Sequence, residues 1–588
     1  MSRRLKKWRG WLVVLWLFSG RAWSEDRPNI ILIMVDDFGH ECVESYGGES
    51  YSTPQLTRMA SEGAQFNQAH AQNICTPSRV QIMTGQYNVR NYVRFATLDQ
   101  SQHTFGQAFR CAGYATAVVG KWQLGGDAKT IAMLGFDEHC LWNIRGAAGE
   151  RYVSPTLLTN GEALSYPGKY GPELQQDFAK RFIMEHVDRP FFLYYPMTLP
   201  HYPFQPTPHS SDWDPDRDPS FNEPAYFGEM VAYLDYLVGD LIETVDQAGL
   251  AENTLILFTA DNGTDHRITS FQEGVAVRGA KGKMTMDATQ VPFLVRWPSR
   301  VAAGLEVDGL IDFSDIFSTF RDIAGLPDAS ADGQDGVSFL PLLESRSTQV
   351  RDHSYCWYME RTDMTDIKCF VQNETYKLHS DGRFINKKID RFEKSPLPDD
   401  RLTTEEIAVK ERFAMEMQRY GRLRPKRFAY NHGRLISLPG RVEAEQYDLG
   451  LPGVTYYDKT EGNAGAGFWR SDDVDIVSEN DHHRIIQMET GEWLEYSVDI
   501  DHSGLYALTA TYAATRHGAI RLFIQGEPIG ERMELLPTEG KQPLVESVAQ
   551  LVQLPAGRHS LRLYVDQGGM ELDRLTFRLS NRALKNEF

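Results

Sequence analysis

Apolar positions in the first half of the chain alternate between two textures. Unbroken runs at Ile30–Val35, Tyr114–Gly120, Phe191–Tyr195 and Leu255–Ala260 have the length of strands buried on both faces. Between them lie stretches with apolar residues three and four apart. One follows Thr53-Pro54, read as an N-cap with proline at the first helical position, and another runs from about Tyr226 to Ala248, closed by Gly249. Strands alternating with helices predict an α/β architecture with a mainly parallel sheet. Each strand-like run stops at polar residues: Asp36-Asp37, Lys121, His201 a little beyond its run, and Asp261-Asn262. Sites in open α/β sheets form at the carboxyl ends of strands, so four runs aim chemistry at one edge. From about 352 to 385 two adjacent strand-like runs, SYCWYME and KCFVQNETYKL, predict a small antiparallel sheet. A charged helix around 403–418 and the basic segment 421–435 read as a connector. Beyond Pro439 the pattern becomes short alternating strands such as GEWLEYSVDI and HSLRLYVD, which predicts an all-β sandwich.

At 588 residues the chain exceeds the roughly 250–300 residues that one core supports. The pattern divides it into an α/β domain over 25–415, with its small C-terminal subdomain from about 352, a linker over 416–439 and a sandwich over 440–580. Residues 1–24 read as a signal peptide. Arg3, Arg4, Lys6, Lys7 and Arg9 precede an apolar run from Trp11 to Phe18, and Ala22-Trp23-Ser24 offers a cleavage site. The run is too short to span a bilayer and no later run is long enough, so the expectation is a secreted or periplasmic protein with no membrane span after cleavage. With 80 acidic and 61 basic residues the formal charge is -19, which disfavours nucleic acid as a partner. An anionic substrate then needs a local basic pocket. Six cysteines in so long a chain are no disulfide scaffold; Cys356 with Cys369 is the pair to test.

Asp36, Asp37, Asp261 and Asn262 are hard oxygen donors suited to Ca²⁺ or Mg²⁺. Acidic pairs are common on surfaces, but two at strand ends would repel strongly without a cation. Arg79, Lys121 and Lys281 supply charge of the kind that grips a small dianionic head group.

The run Cys75-Thr76-Pro77-Ser78-Arg79, followed by Met83-Thr84-Gly85, resembles the signature of the sulfatase family within the alkaline-phosphatase-like superfamily. The likeness extends in order from MVDDFG at Met34 through VVGKWQLG, PHYPF, ILFTADNG and RGAKG to VPFLVRWP ending at Pro298. It implies an alkaline-phosphatase-like fold, and it implies that dedicated machinery reading Cys-x-Pro-x-Arg oxidises Cys75 to formylglycine. The hydrated aldehyde attacks sulfur through one hydroxyl, bound to the cation, and expels sulfate through the other. Carried over by position, the resemblance makes Asp36, Asp37, Asp261 and Asn262, with modified Cys75, the ligands of one Ca²⁺, Mg²⁺ being the poorer fit. On the same resemblance Arg79 would hold the hydrated aldehyde, Lys121 and Lys281 would bind sulfate oxygens, and His201 would bind sulfate and help protonate the leaving alcohol. One position departs from the pattern. Where the family has Gly-Lys-Trp-His, this chain has Gly120-Lys121-Trp122-Gln123, and an amide is no useful base. Water or a histidine such as His266 would have to serve, or the second step slows.

The sandwich resembles carbohydrate-binding modules appended to glycan-degrading enzymes, on Val442-Glu443-Ala444-Glu445 and Leu572-Asp573-Arg574-Leu575 at its two edges. That likeness implies a second, structural Ca²⁺ at Glu443, Glu445 and Asp573, and it makes Trp469 and Tyr457 candidates for stacking on sugar. The expectation is a calcium-dependent sulfatase acting on a sulfated glycan. The alternatives are a phosphate or phosphonate ester hydrolase of the same superfamily, and a non-catalytic glycan-binding protein with a degenerate sulfatase domain.

Overall fold

The structure, a computed structural model, describes residues 27–142, 150–326, 333–360, 366–430, 433–460, 462–465, 470, 472–479, 482–538 and 544–580. The signal-peptide reading and Trp469 lie outside the described residues. Among the described residues no helix is long and apolar enough to cross a membrane.

A ten-stranded mixed sheet organises the first domain. Its centre is parallel, in the spatial order Thr254–Ala260, Asn29–Val35, Phe191–Pro196, Ala115–Lys121, Glu138–Trp142. Every residue of the first four strands is buried, as expected for strands covered by helices on both faces. Antiparallel strands flank the centre: Phe293–Arg296 on one side, Thr156–Thr159 and Glu162–Ser165 on the other. The register places Val35 beside Ala260 and Met34 beside Pro196, so the polar residues that end the central strands emerge along one edge. The ladder continues into that edge, with Asp261 N–H donating to Val35 O at 2.9 Å and Asp36 N–H to Leu199 O at 2.9 Å.

The expected helices are present as Pro54–Glu62 and Phe227–Gln247. The cap of the first differs from expectation. The Thr53 hydroxyl accepts from Glu44 N–H, and the open N–H groups of Gln55 and Leu56 are taken at 3.0 and 2.9 Å by the carboxylate of Asp235, which lies on the second helix. A distant carboxylate replaces the local cap because the two helices pack together.

A four-stranded antiparallel sheet, Ser354–Met359, Ile367–Gln372, Tyr376–His379 and Phe384–Asn386, forms the small subdomain and packs against the helix Thr404–Gly421. Cys356 and Cys369 lie on its first two strands but do not bond. Cys356 pairs in register with Phe370 and Cys369 with Trp357, so the two thiols point to opposite faces of the sheet. The C-terminal domain is a sandwich of two seven-stranded, mainly antiparallel sheets around its own apolar core.

Candidate active site

The helix Cys75–Thr84 is buried at all ten positions and lies beneath the polar edge of the sheet, with Cys75 as its first residue. Cys75 Sγ is 3.7 Å from Asp36 Oδ1 and 3.8 Å from Asp37 Oδ1. One turn on, Arg79 is fully buried; its Nη2 and Nε donate to Asp261 Oδ2 at 2.7 and 3.2 Å, and its Nη1 donates to Lys121 O at 3.0 Å. Lys121 Nζ donates to both oxygens of Asp36 at 2.8 Å. Lys281 Nζ reaches Asp37 Oδ2 at 2.6 Å and His201 Nε2 at 3.0 Å. His201 Nδ1 donates to Tyr202 O at 2.5 Å, so Nε2 carries the free lone pair and accepts from Lys281.

Single ligand atoms from Asp36, Asp37, Cys75 and His201 all lie within 4.8 Å of one another. Asp261 stands one step back, its Oδ2 taken by Arg79 and its Oδ1 by Asp37 N–H at 3.1 Å. Asn262 donates to Asp37 Oδ1 at 2.9 Å and to Gly263 O at 2.8 Å, which leaves its buried Oδ1 without a hydrogen-bond partner. An orphaned oxygen among clustered carboxylates is what a hard cation would satisfy, so the donor set fits Ca²⁺ or Mg²⁺.

Electrostatics agree with that fit. Burial raises Asp37 to about 6; Lys281 draws it down while Asp36 and Asp261 push it up. Burial works to raise Asp36, but His201, Lys121, Arg151 and Arg79 together outweigh it and hold the group well below the usual carboxylate range. Burial and Arg151 keep His201 well below its ordinary value. The Cys75 thiol is pushed up to about 12, first by burial and then by Asp261. A thiolate nucleophile is therefore scarce at neutral pH, in contrast to reactive cysteines, which sit in electropositive surroundings.

Residues 28–326 match the family model described as Sulfatase. The chain belongs to the sulfatase family. It is a sulfuric ester hydrolase, and its second match, over 280–416, is to the model described as the C-terminal region of N-sulphoglucosamine sulphohydrolase. Residues 466–579 match a carbohydrate binding module of family 6. N-acetylgalactosamine-6-sulfatase of Canis lupus familiaris is 30% identical over 415 residues, covering 63% of this chain and 75% of that protein. Among solved structures, the PsFucS1 sulfatase from Pseudoalteromonas sp. aligns with a TM-score of 0.57 at 21% identity, over 68% of this chain and 91% of that one. The phosphonate monoester hydrolase of Agrobacterium radiobacter aligns at 0.52 and 19%, over 68% of this chain and 96% of that one, so the fold alone does not choose the ester.

In this sulfatase the site opens into a cleft of about 920 Å³ that Cys75, Gln123, His201, Tyr202, His266 and Lys281 help to line. Gln123 sits at φ 54°, with its buried Oε1 lacking a partner. His266 is on the same cleft, with its side chain 62% exposed and Nδ1 3.6 Å from Asp265 Oδ1. Arg151 escaped the sequence reading. Its Nη1 donates to Asp36 Oδ2 at 2.8 Å, and its guanidinium lies 4.2 Å from the centre of the Trp142 ring. RYVSP carries no motif, and only the return of the chain to the sheet edge brings Arg151 to a carboxylate 115 residues away.

In the sandwich, Glu443 lies on the edge strand Gly440–Glu443 and Asp573 on the strand beside it, Met570–Leu579. Glu445 is buried, its Oε2 has no hydrogen-bond partner, and burial followed by Glu443 and Asp573 raises it to about 7. Tyr457 is 44% exposed and in register with Trp493.

Proposed function

We propose that this sulfatase removes sulfate from a sulfated carbohydrate outside the cytoplasm, using formylglycine made from Cys75 by the host's modifying machinery and one bound Ca²⁺. The observation that carries the reading is the seating of Cys75 at the start of a buried helix, within 4 Å of Asp36 and Asp37, as the first residue of Cys-Thr-Pro-Ser-Arg. Asp36, Asp37, Asp261, Asn262 and modified Cys75 would hold the ion, which would polarise the sulfate group and favour an ionised nucleophile supplied by position 75.

The chain's own groups divide the remaining work. Arg79, anchored on Asp261 and on Lys121 O, fixes the start of the helix and the hydroxyls that position 75 carries. Lys121 and Arg151 hold Asp36 in place and face sulfate oxygens with positive charge, and Lys281 does the same from the Asp37 side. His201, with Nε2 against the Lys281 ammonium, would bind sulfate and help protonate the leaving alcohol. Gln123 offers hydrogen bonds but no base, so water or a histidine such as His266, which lines the same cleft, would take its part, or the second step would slow. In the sandwich, Glu443, Glu445 and Asp573 would bind a second, structural Ca²⁺, and the module would hold the enzyme on its polymer through Tyr457 and Trp469.

The test is a mass measurement on the tryptic peptide Met59–Arg79 from protein made in a host that modifies sulfatases. It is combined with metal analysis and with turnover of 4-nitrophenyl sulfate against 4-nitrophenyl phosphate. An aldehyde at position 75, one or more equivalents of calcium and faster release from the sulfate ester are expected. A bare thiol would favour the degenerate, binding-only protein. Faster phosphate release would favour the phosphoesterase.

A further inference from the structure

Phe95 stands on the wall of the catalytic cleft with 45% of its surface exposed, on the same cleft as Cys75 and Gln123. An aromatic face at the mouth of a polar cleft suits the C–H face of a sugar ring or an aryl leaving group. The segment that carries Phe95 is tied into the catalytic centre on one side. Ala96 N–H donates to Thr76 Oγ1 at 3.0 Å, next to Cys75, and Leu98 N–H donates to Leu124 O at 3.1 Å, next to Gln123. Ala96 has φ 56°, a left-handed conformation that a non-glycine residue keeps only when its surroundings enforce it.

On the other side the segment is held from the C-terminal domain. Val93 packs with Phe428 of the connector and Leu449 of the sandwich in a separate apolar cluster, at 4%, 8% and 5% exposure. Phe428 and Leu449 are register partners in a short antiparallel pair, so the connector is itself stitched to the sandwich. Arg424 donates to Tyr92 O at 2.6 Å while its guanidinium lies 4.7 Å from the Phe428 ring centre. The Arg94 guanidinium sits 5.7 Å from the centre of Tyr430, and Arg470 of the sandwich lies 5.9 Å from the same ring. A tether that only delivered the enzyme to its polymer would need none of this packing.

We propose that the sandwich buttresses the active-site wall: Leu449, acting through Phe428 on Val93, holds residues 92–98 and so positions Phe95 against the leaving-group side of the substrate. Phe95 is then a specificity-determining residue, Val93 is a positioning residue within the same segment, and Phe428 and Leu449 are positioning residues in a different part of the chain. This inference rests on the cleft at Cys75 being the sulfatase site.

The experiment uses full-length modified protein as wild type, Phe428→Ala and Phe95→Ala. Two readouts are taken: hydrogen–deuterium exchange over residues 92–98, and kcat and KM for 4-nitrophenyl sulfate. Phe428→Ala is expected to speed exchange of the 92–98 amides roughly tenfold or more while Asn29–Val35 stays protected. Both variants are expected to raise KM roughly three- to tenfold with kcat within about twofold, because the lost contact is to the leaving group rather than to sulfate. Wild-type exchange and KM in Phe428→Ala would overturn the proposal. Should Asn29–Val35 also lose protection, the substitution has unfolded the domain, and Leu449→Val takes its place with the same two outcomes at smaller amplitude. A wild-type enzyme that releases no 4-nitrophenol would sink the sulfatase reading instead, and exchange alone would decide the buttress.

Discussion

Replacing Arg151 by methionine isolates a cation at the site that no motif announces. Arg151 donates a charge-assisted hydrogen bond to Asp36 at 2.8 Å and lines the cleft with the rest of the machinery. Methionine keeps much of the packing over Trp142 and removes only the charge and the donor. A hydrogen bond to a charged group contributes about 1.5–3 kcal/mol. Asp36 keeps both contacts to Lys121, so collapse of the site is not expected and the cost should stay in that range. Spent on the transition state, that range corresponds to a loss of roughly 10- to 150-fold in kcat/KM. The assay is turnover of 4-nitrophenyl sulfate by fully modified enzyme, with a calcium titration alongside. Calcium affinity should hold or tighten, since the group removed is a cation competing for Asp36. A kcat/KM within threefold of wild type, or calcium binding that weakens, would refute this account of Arg151.

Gln123→His should speed turnover about tenfold or more, since a missing acid–base group costs about 10²–10⁴ in rate and histidine tolerates the positive φ of this position; a slower variant would mean that the amide itself is used. Glu393 lies between Lys377 at 2.8 Å and His379 at 2.7 Å, and although burial works against it, these partners hold it down at about 2. Its folded value lies below its unfolded one, so its stabilisation is present above about pH 4.5 and is lost as pH falls towards 2. Glu393→Gln should cost about 3–5 kcal/mol near neutrality and flatten that part of the acid profile, read by urea unfolding at several pH values. Lys387 is 5% exposed, with the Gln372 amide oxygen at 3.3 Å as its hydrogen-bond partner, and burial followed by Lys377 lowers it to about 7. That depression is a destabilisation, fully present below about pH 7 and relieved as pH rises towards about 10.4, so Lys387→Met should melt higher than wild type at about pH 6 with a smaller advantage at about pH 9. A lower melting point at about pH 6 would count against it.

By itself the sequence determined the fold class and the family. Uniform apolar runs of strand length, bounded by polar residues, fit strands covered on both faces, and residues that end such strands, Asp36, Lys121 and Asp261, emerge together once the strands are parallel and neighbouring. Cys75 and Arg79 were legible through the resemblance of Cys75-Thr76-Pro77-Ser78-Arg79 to the sulfatase signature, and the structure sets them one helical turn apart. What tertiary structure decided were meetings between residues with no local relation. Arg151 meets Asp36, Asp235 caps a helix beginning at Pro54, and Lys281 takes the lone pair of His201. Cys356 and Cys369 are neighbours in pattern, yet a register offset of one residue turns them to opposite faces. The contact of Val93 with Leu449 belongs to the same class, since it depends on how two separately formed cores dock. Periodicity records which residues are buried, because burial acts on each position locally. Which buried residue meets which is set by strand order, register and docking, and these are properties of the whole chain.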